Sequence, residues 1–79
     1  MIRLTAAKLM EECINGVTVK ELKKKYNLSE SLLREKIRCL EELNLIGHKT
    51  RPCSRGRENV YYLTPLGRDF LNRFWKFFD

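Results

Sequence analysis

No two cysteines of this chain form a Cys-x-x-Cys pair; Cys13, Cys39 and Cys53 are widely spaced and odd in number. A zinc site of the common spacing and a disulfide framework therefore both lack support. No apolar run approaches the roughly 18 residues that cross a bilayer, and the start, MIRLTAAKLMEE, lacks the uninterrupted apolar core of a secretion signal. The expectation is a cytoplasmic protein with reduced thiols. The chain has a single histidine, His48, and no Gly-rich phosphate loop, HExxH pattern or serine or cysteine nucleophile with a His and a carboxylate to serve it. Seventy-nine residues also enclose little of a pocket. Catalysis, a metal, a cofactor and a small-molecule ligand are accordingly not expected.

What the sequence does have is positive charge. Sixteen Lys and Arg against ten Asp and Glu give a formal charge of +6 and a pI near 9.5. That balance favours an anionic partner, with nucleic acid ahead of an anionic membrane surface or an acidic protein. The length allows one small domain over residues 1–79, whose modest core leaves a thin stability margin without tight packing or a partner.

Leu28 to Gly47, LSESLLREKIRCLEELNLIG, is the most organised stretch. Ser29 is a good N-cap. Leu33, Ile37 and Leu40 recur at helical spacing with Leu43 near the same side, while Ser31, Arg34, Glu35 and Arg38 fall opposite. Asn44 tolerates the left-handed turn that closes such a helix. Before it, Arg3 to Ile14 reads as a first helix ended by Asn15-Gly16. Thr18-Val19-Lys20-Glu21 fits a capping box and opens a short helix through about Tyr26, with Lys20, Lys23, Lys24 and Lys25 mostly outward. A turn at Asn27-Leu28-Ser29 makes the pair a helix-turn-helix. Beyond Gly47 the pattern becomes that of strands at Ile46 to about Thr50 and Asn59 to Leu63, with turn material from Arg51 to Arg57 between them. Thr64-Pro65 then starts a last helix running almost to Asp79. The fold class is mainly α with a small β-hairpin: a winged helix-turn-helix of three core helices, a two-stranded wing and a C-terminal helix.

LSESLLREKIRCLEELNLIG resembles the recognition-helix segment of MarR-, ArsR- and PadR-type transcriptional regulators, with its leucine-serine turn and closing Leu-Glu-Glu-x-Asn-Leu-Ile run. RGRENVYYLTPLGRDFL similarly resembles the wing and following helix of PadR- and MarR-like proteins. The resemblance implies a sequence-specific protein that binds double-stranded DNA. It places the helix of about residues 29–44 in the major groove and the wing of about 46–63 on the minor groove or backbone. Carried over by position, it marks Glu30, Ser31, Leu32, Arg34, Glu35 and Arg38 for base edges or adjacent phosphates, and Lys49, Arg51, Arg55 and Arg57 on the wing. Thr18 and Lys20 would touch the backbone.

Each of these has a plainer reading. An arginine fork can bind guanine bidentately, but Arg34 with Glu30 and Arg38 with Glu42 are also at ion-pairing distance along a helix. Glu35 either accepts from cytosine N4 or sits at the groove edge. A basic hairpin tip suits a narrow minor groove, or merely discourages edge-to-edge strand pairing. The lysines of the second helix can contact phosphate or form a solvated face. Cys13 and Cys39 read as small core or interface residues, and Cys53 as exposed among arginines.

The last helix carries two adjacent stripes, Leu66, Phe70, Phe74 and Phe77 beside Leu71, Trp75 and Phe78. Some of this covers the core; the remainder suits a homodimer through Leu4, Phe70, Phe74, Trp75, Phe77 and Phe78. A protein-interaction module docking through this aromatic helix is the alternative to DNA binding, and binding to a membrane surface is a more distant one.

Overall fold

The computed structural model describes residues 4–74. The chain runs through helix α1 (Ala6–Glu12), a 3-10 turn (Cys13–Asn15), helices α2 (Val19–Tyr26) and α3 (Glu30–Glu42), strands β1 (Ile46–Cys53) and β2 (Gly56–Leu63), and helix α4 (Pro65–Phe74). Helix α1 starts later than expected because Thr5 caps it, its hydroxyl accepting from Lys8 N at 3.2 Å. Its last turn tightens, and the 3-10 winding leaves the apolar Ile14 exposed to solvent.

The capping box forms as expected. Thr18 Oγ1 accepts from Glu21 N at 3.2 Å, and Glu21 Oε1 accepts from Thr18 N at 3.1 Å. Asn27, at φ +55, ends α2 with its N–H donated to Lys23 O at 2.8 Å. After Leu28, Ser29 caps α3 by accepting from Leu32 N at 3.3 Å. At the other end Asn44 adopts φ +61, with Asn44 N donating to Glu41 O and Leu45 N to Leu40 O. These are the two bonds of a Schellman termination, which satisfy carbonyls the helix leaves open. Leu43 stands past the helical stripe and is 63% exposed rather than inward.

The core is what the three helices share. Leu9, Met10, Cys13, Leu22, Leu33 and Ile37 are its fully enclosed side chains, each large one contributing about 1.5–3 kcal/mol by leaving water. The hairpin closes the open side with Ile46, Tyr61 and Leu63. Its antiparallel register runs from Ile46↔Leu63 to Cys53↔Gly56. Both strands extend further than the sequence suggested: Arg51 and Pro52 belong to β1 and Arg57 to β2, leaving a tight turn at Ser54-Arg55. Backbone pairing, indifferent to the polar side chains, carries the ladder to the tip. Pro52 is tolerated because a two-stranded sheet consists of edge strands.

One pairing is long-range. Gly16, at φ +83, swings the chain so that Val17 bridges Tyr61, with N–H···O distances of 2.9 and 2.8 Å. The base of the hairpin is thereby tied to the segment between α1 and α2.

Helix α4 is joined to the end of α3 through Thr64. Its hydroxyl accepts from Gly67 N at 2.9 Å, capping α4, and lies 2.6 Å from Asn44 O and 2.9 Å from Leu45 O, to which it can donate. Gly67 sits so close that a Cβ there would fall 1.9 Å from Leu45 O. Leu71 faces the core and Phe70 packs against it, whereas Leu66 is 54% exposed. Among the described residues no helix is long and apolar enough to cross a membrane.

Candidate nucleic-acid interface

Burying Leu33, Ile37 and Leu40 turns the opposite side of α3 to solvent. There Ser31, Arg34, Glu35 and Arg38 border one shallow depression. Arg34 Nε lies 3.3 Å from Glu30 Oε2, the helical pair anticipated from spacing. Both partners are largely exposed, so that pair is worth a few tenths of a kcal/mol and is readily exchanged for a stronger anion. The companion pair with Glu42 does not form; among the described residues Arg38 has no ionic partner. Leu32 is exposed on the first turn of the same helix.

On the hairpin, cross-strand geometry separates four cations that composition treats alike. Arg51 pairs with its register neighbour Glu58, Nε to Oε1 at 2.7 Å. Lys49 Nζ lies 5.5 Å from the centroid of the Tyr62 ring, within cation–π range. Arg55 at the turn and Arg57 beside it are exposed, with no ionic partner among the described residues. Thr50 Oγ1 donates to Asn59 Oδ1 at 3.2 Å, stiffening the middle of the ladder.

Two concavities join the hairpin to the helices. A cleft of about 270 Å³ brings Lys20 from the start of α2, Arg34 from α3 and Arg57 from β2 around one space, with Glu30, Glu58, Asn59 and Tyr61 also on its walls. A broader groove of about 820 Å³ runs outward from it between Lys20, Lys23 and Lys24 on α2 and Cys53, Ser54 and Arg55 at the hairpin tip. Sequence reasoning left Lys23 and Lys24 between phosphate contact and a solvated face, and left Asn59 out. Their placement depends on where the hairpin folds back, which no local pattern reports.

Thr18 is different. It is 4% exposed, and its hydroxyl and amide are both engaged by the capping box, so it supports Lys20 rather than offering a group of its own. Leu4, expected at a dimer surface, is instead in the core at 4% exposure, with almost nothing left to bury against a second chain. The Phe74 side chain and all of Trp75, Phe77 and Phe78 lie outside the described residues.

Glu12, Tyr26 and Cys13 lie away from this surface and serve the fold. Glu12 accepts from Tyr26 Oη at 2.6 Å and pairs with Lys25 Nζ at 2.6 Å. The bonds from Lys25 and then Tyr26 hold its carboxyl below the usual range, while burial, aided by the Glu12 contact, pushes the Tyr26 phenol up to about 12. Burial likewise pushes the Cys13 thiol up to about 12, so it behaves as an apolar side chain. Cys39, read from the sequence as a core or interface residue, is not in the core but exposed on α3, as is Cys53 on the hairpin. His48 Nδ1 lies 2.9 Å from Glu41 Oε2. Among the described residues no cluster of three or more His, Cys, Asp or Glu is placed to hold a metal ion.

The arrangement is similar to solved structures. A PadR family transcription regulator from Clostridium difficile R20291 superposes with a TM-score of 0.74 at 24% identity, over 91% of this chain and 86% of that one. The chain has the winged helix-turn-helix fold. The transcriptional regulator YodB from B. subtilis, in its reduced form, matches with a TM-score of 0.70 at 18% identity, over 91% of this chain and 69% of that one. No protein-family model and no curated protein sequence matches the chain. In winged-helix terms α2 and α3 are the helix-turn-helix, α3 stands where a recognition helix does, and the β1–β2 hairpin is the wing.

Proposed function

We propose that this winged helix is a double-stranded DNA-binding transcriptional regulator, not an enzyme, acting in the cytoplasm by occupying an operator. The observation that carries the reading is the exposed row Ser31, Arg34, Glu35 and Arg38 on α3, flanked by a wing whose Arg55 and Arg57 are unpaired among the described residues. Helix α3 enters the major groove, where Arg34 or Arg38 can read guanine O6 and N7 and Glu35 can accept from cytosine. Glu30, Ser31 and Leu32 lie at the entering end of that helix. Lys49, Arg55 and Arg57 meet the minor groove or the backbone, and Arg51 holds Glu58 in place beside them. Two copies paired through the C-terminal segment, with Phe70, Phe74, Trp75, Phe77 and Phe78, would present two recognition helices to successive turns of the duplex. The structures of a PadR family regulator and of YodB lend this reading support through shared fold.

Fluorescence anisotropy with a labelled random duplex across a salt series tests it. Affinity falling linearly in log salt is expected for a protein that displaces counterions from phosphates. A flat, very weak response at low salt sinks the reading.

A further inference from the structure

The four lysines of α2 are not equivalent. Lys25 is drawn to the α1 side by Glu12, at 2.6 Å. Lys20, Lys23 and Lys24 line the groove that faces the tip of the wing, with Arg55 on the opposite wall. The spacing i, i+3, i+4 sets these three on one helix face, and none of them has an ionic partner among the described residues. Two carboxylates also border the groove, and each is held by an arginine: Glu30 by Arg34 at 3.3 Å and Glu58 by Arg51 at 2.7 Å. What remains uncompensated along the groove is positive. Among the described residues no aromatic side chain lines it, so they offer no platform for the base stacking that single strands use. The groove is continuous with the Lys20, Arg34 and Arg57 cleft beside α3, the two sharing Lys20, Glu30 and Glu58 on their walls.

We propose that this groove is a phosphate track: the sugar–phosphate backbone of one strand of a DNA duplex lies between α2 and the wing tip, contacted by Lys23 and Lys24 from one wall and Arg55 from the other. The inference rests on α3 reading the same duplex, and it adds a second wall of contacts that carries no sequence information. It makes α2 a part of the DNA surface through its whole basic face, not only through Lys20 at its start. The track fixes where the duplex runs, so the recognition helix is presented in one orientation.

The test compares the wild-type chain, Lys23→Ala/Lys24→Ala and Lys25→Ala, each with a labelled random duplex over a salt series. Loss of two phosphate contacts lowers the slope of log affinity against log salt by about 2 and weakens low-salt binding on the order of tenfold to a hundredfold. Lys25→Ala keeps the wild-type slope. If the wild type binds steeply and the double variant keeps its slope and affinity, the track is wrong while the DNA reading stands. The track is equally wrong if Lys25→Ala loses as much per lysine as the double variant, because total charge and not the groove then sets affinity. A wild type with no salt-dependent binding removes both.

Discussion

The base and the tip of the wing are two ends of one ladder held by different physics. At the base Ile46, Tyr61 and Leu63 are buried, Val17 adds a third segment to the pairing, and α4 presses on Leu45. From Thr50 to Arg57 every residue is exposed, and the side-chain ties there are Arg51 to Glu58 and Thr50 to Asn59. The first end is fixed by shape, where a single atom is costly. The second is fixed by backbone pairing and weak ionic contacts, so its side chains are free to serve a partner. Position along a strand, and not residue type, decides whether a side chain belongs to the scaffold or to the surface.

Gly67→Ala should give the largest effect. A Cβ 1.9 Å from the Leu45 carbonyl and 2.9 Å from Leu63 Cδ1 cannot be relieved by rotating a side chain alone, and a loss of about 3 kcal/mol is expected, read from the urea midpoint. A midpoint equal to wild type would mean the base of the wing yields as easily as its tip. Thr18→Ala comes next. It removes the capping box behind Lys20 at a cost of about 1 kcal/mol, measurable in the same titration.

Charge reversal at the tip, Arg55→Glu with Arg57→Glu, should change stability by less than about 0.5 kcal/mol while weakening binding to every duplex sequence. Unchanged affinity would take the tip out of the DNA surface. Away from the wing, pH acts on the Glu12–Tyr26 contact. Glu12 is held below its ordinary value of 4.5, so its contribution is present above that pH and is lost as pH falls through the lowered value. Tyr26 is raised from 10 to about 12, so its contribution is present below pH 10 and is lost as pH rises toward 12. Tyr26→Phe should flatten the alkaline limb of a stability–pH curve; persistence of the full limb in that variant would assign it elsewhere.

What could be read from the sequence was local chemistry. Thr18, Ser29, Asn44 and Thr64 act within a few residues of themselves, and each ends or begins a helix where its residue type demands. The alternation of α3 is equally local, which is why its buried and exposed faces were legible. The cap at Thr5 was hidden because the apolar residues preceding it extend the helical pattern toward the N-terminus. The wing was foreshortened because Arg51, Pro52 and Arg57 resemble turn residues, although two strands pair through backbone groups that side-chain patterns do not report. Val17 meeting Tyr61, Lys25 meeting Glu12 and the groove between α2 and the wing all join residues distant in sequence. Leu4 was misplaced for the same reason: an apolar residue near a terminus is as good for a core as for an interface until the core is seen.

The hydroxyl of Thr64 has a mechanical consequence. One oxygen anchors the first turn of α4 and reaches two carbonyls just past the end of α3, while the absent side chain of Gly67 lets the two backbones touch. A joint of this kind transmits torque instead of absorbing it. With one hydroxyl shared between the two helix ends and no side chain separating the backbones, α4 has little room to rotate without displacing Leu45 at the end of α3.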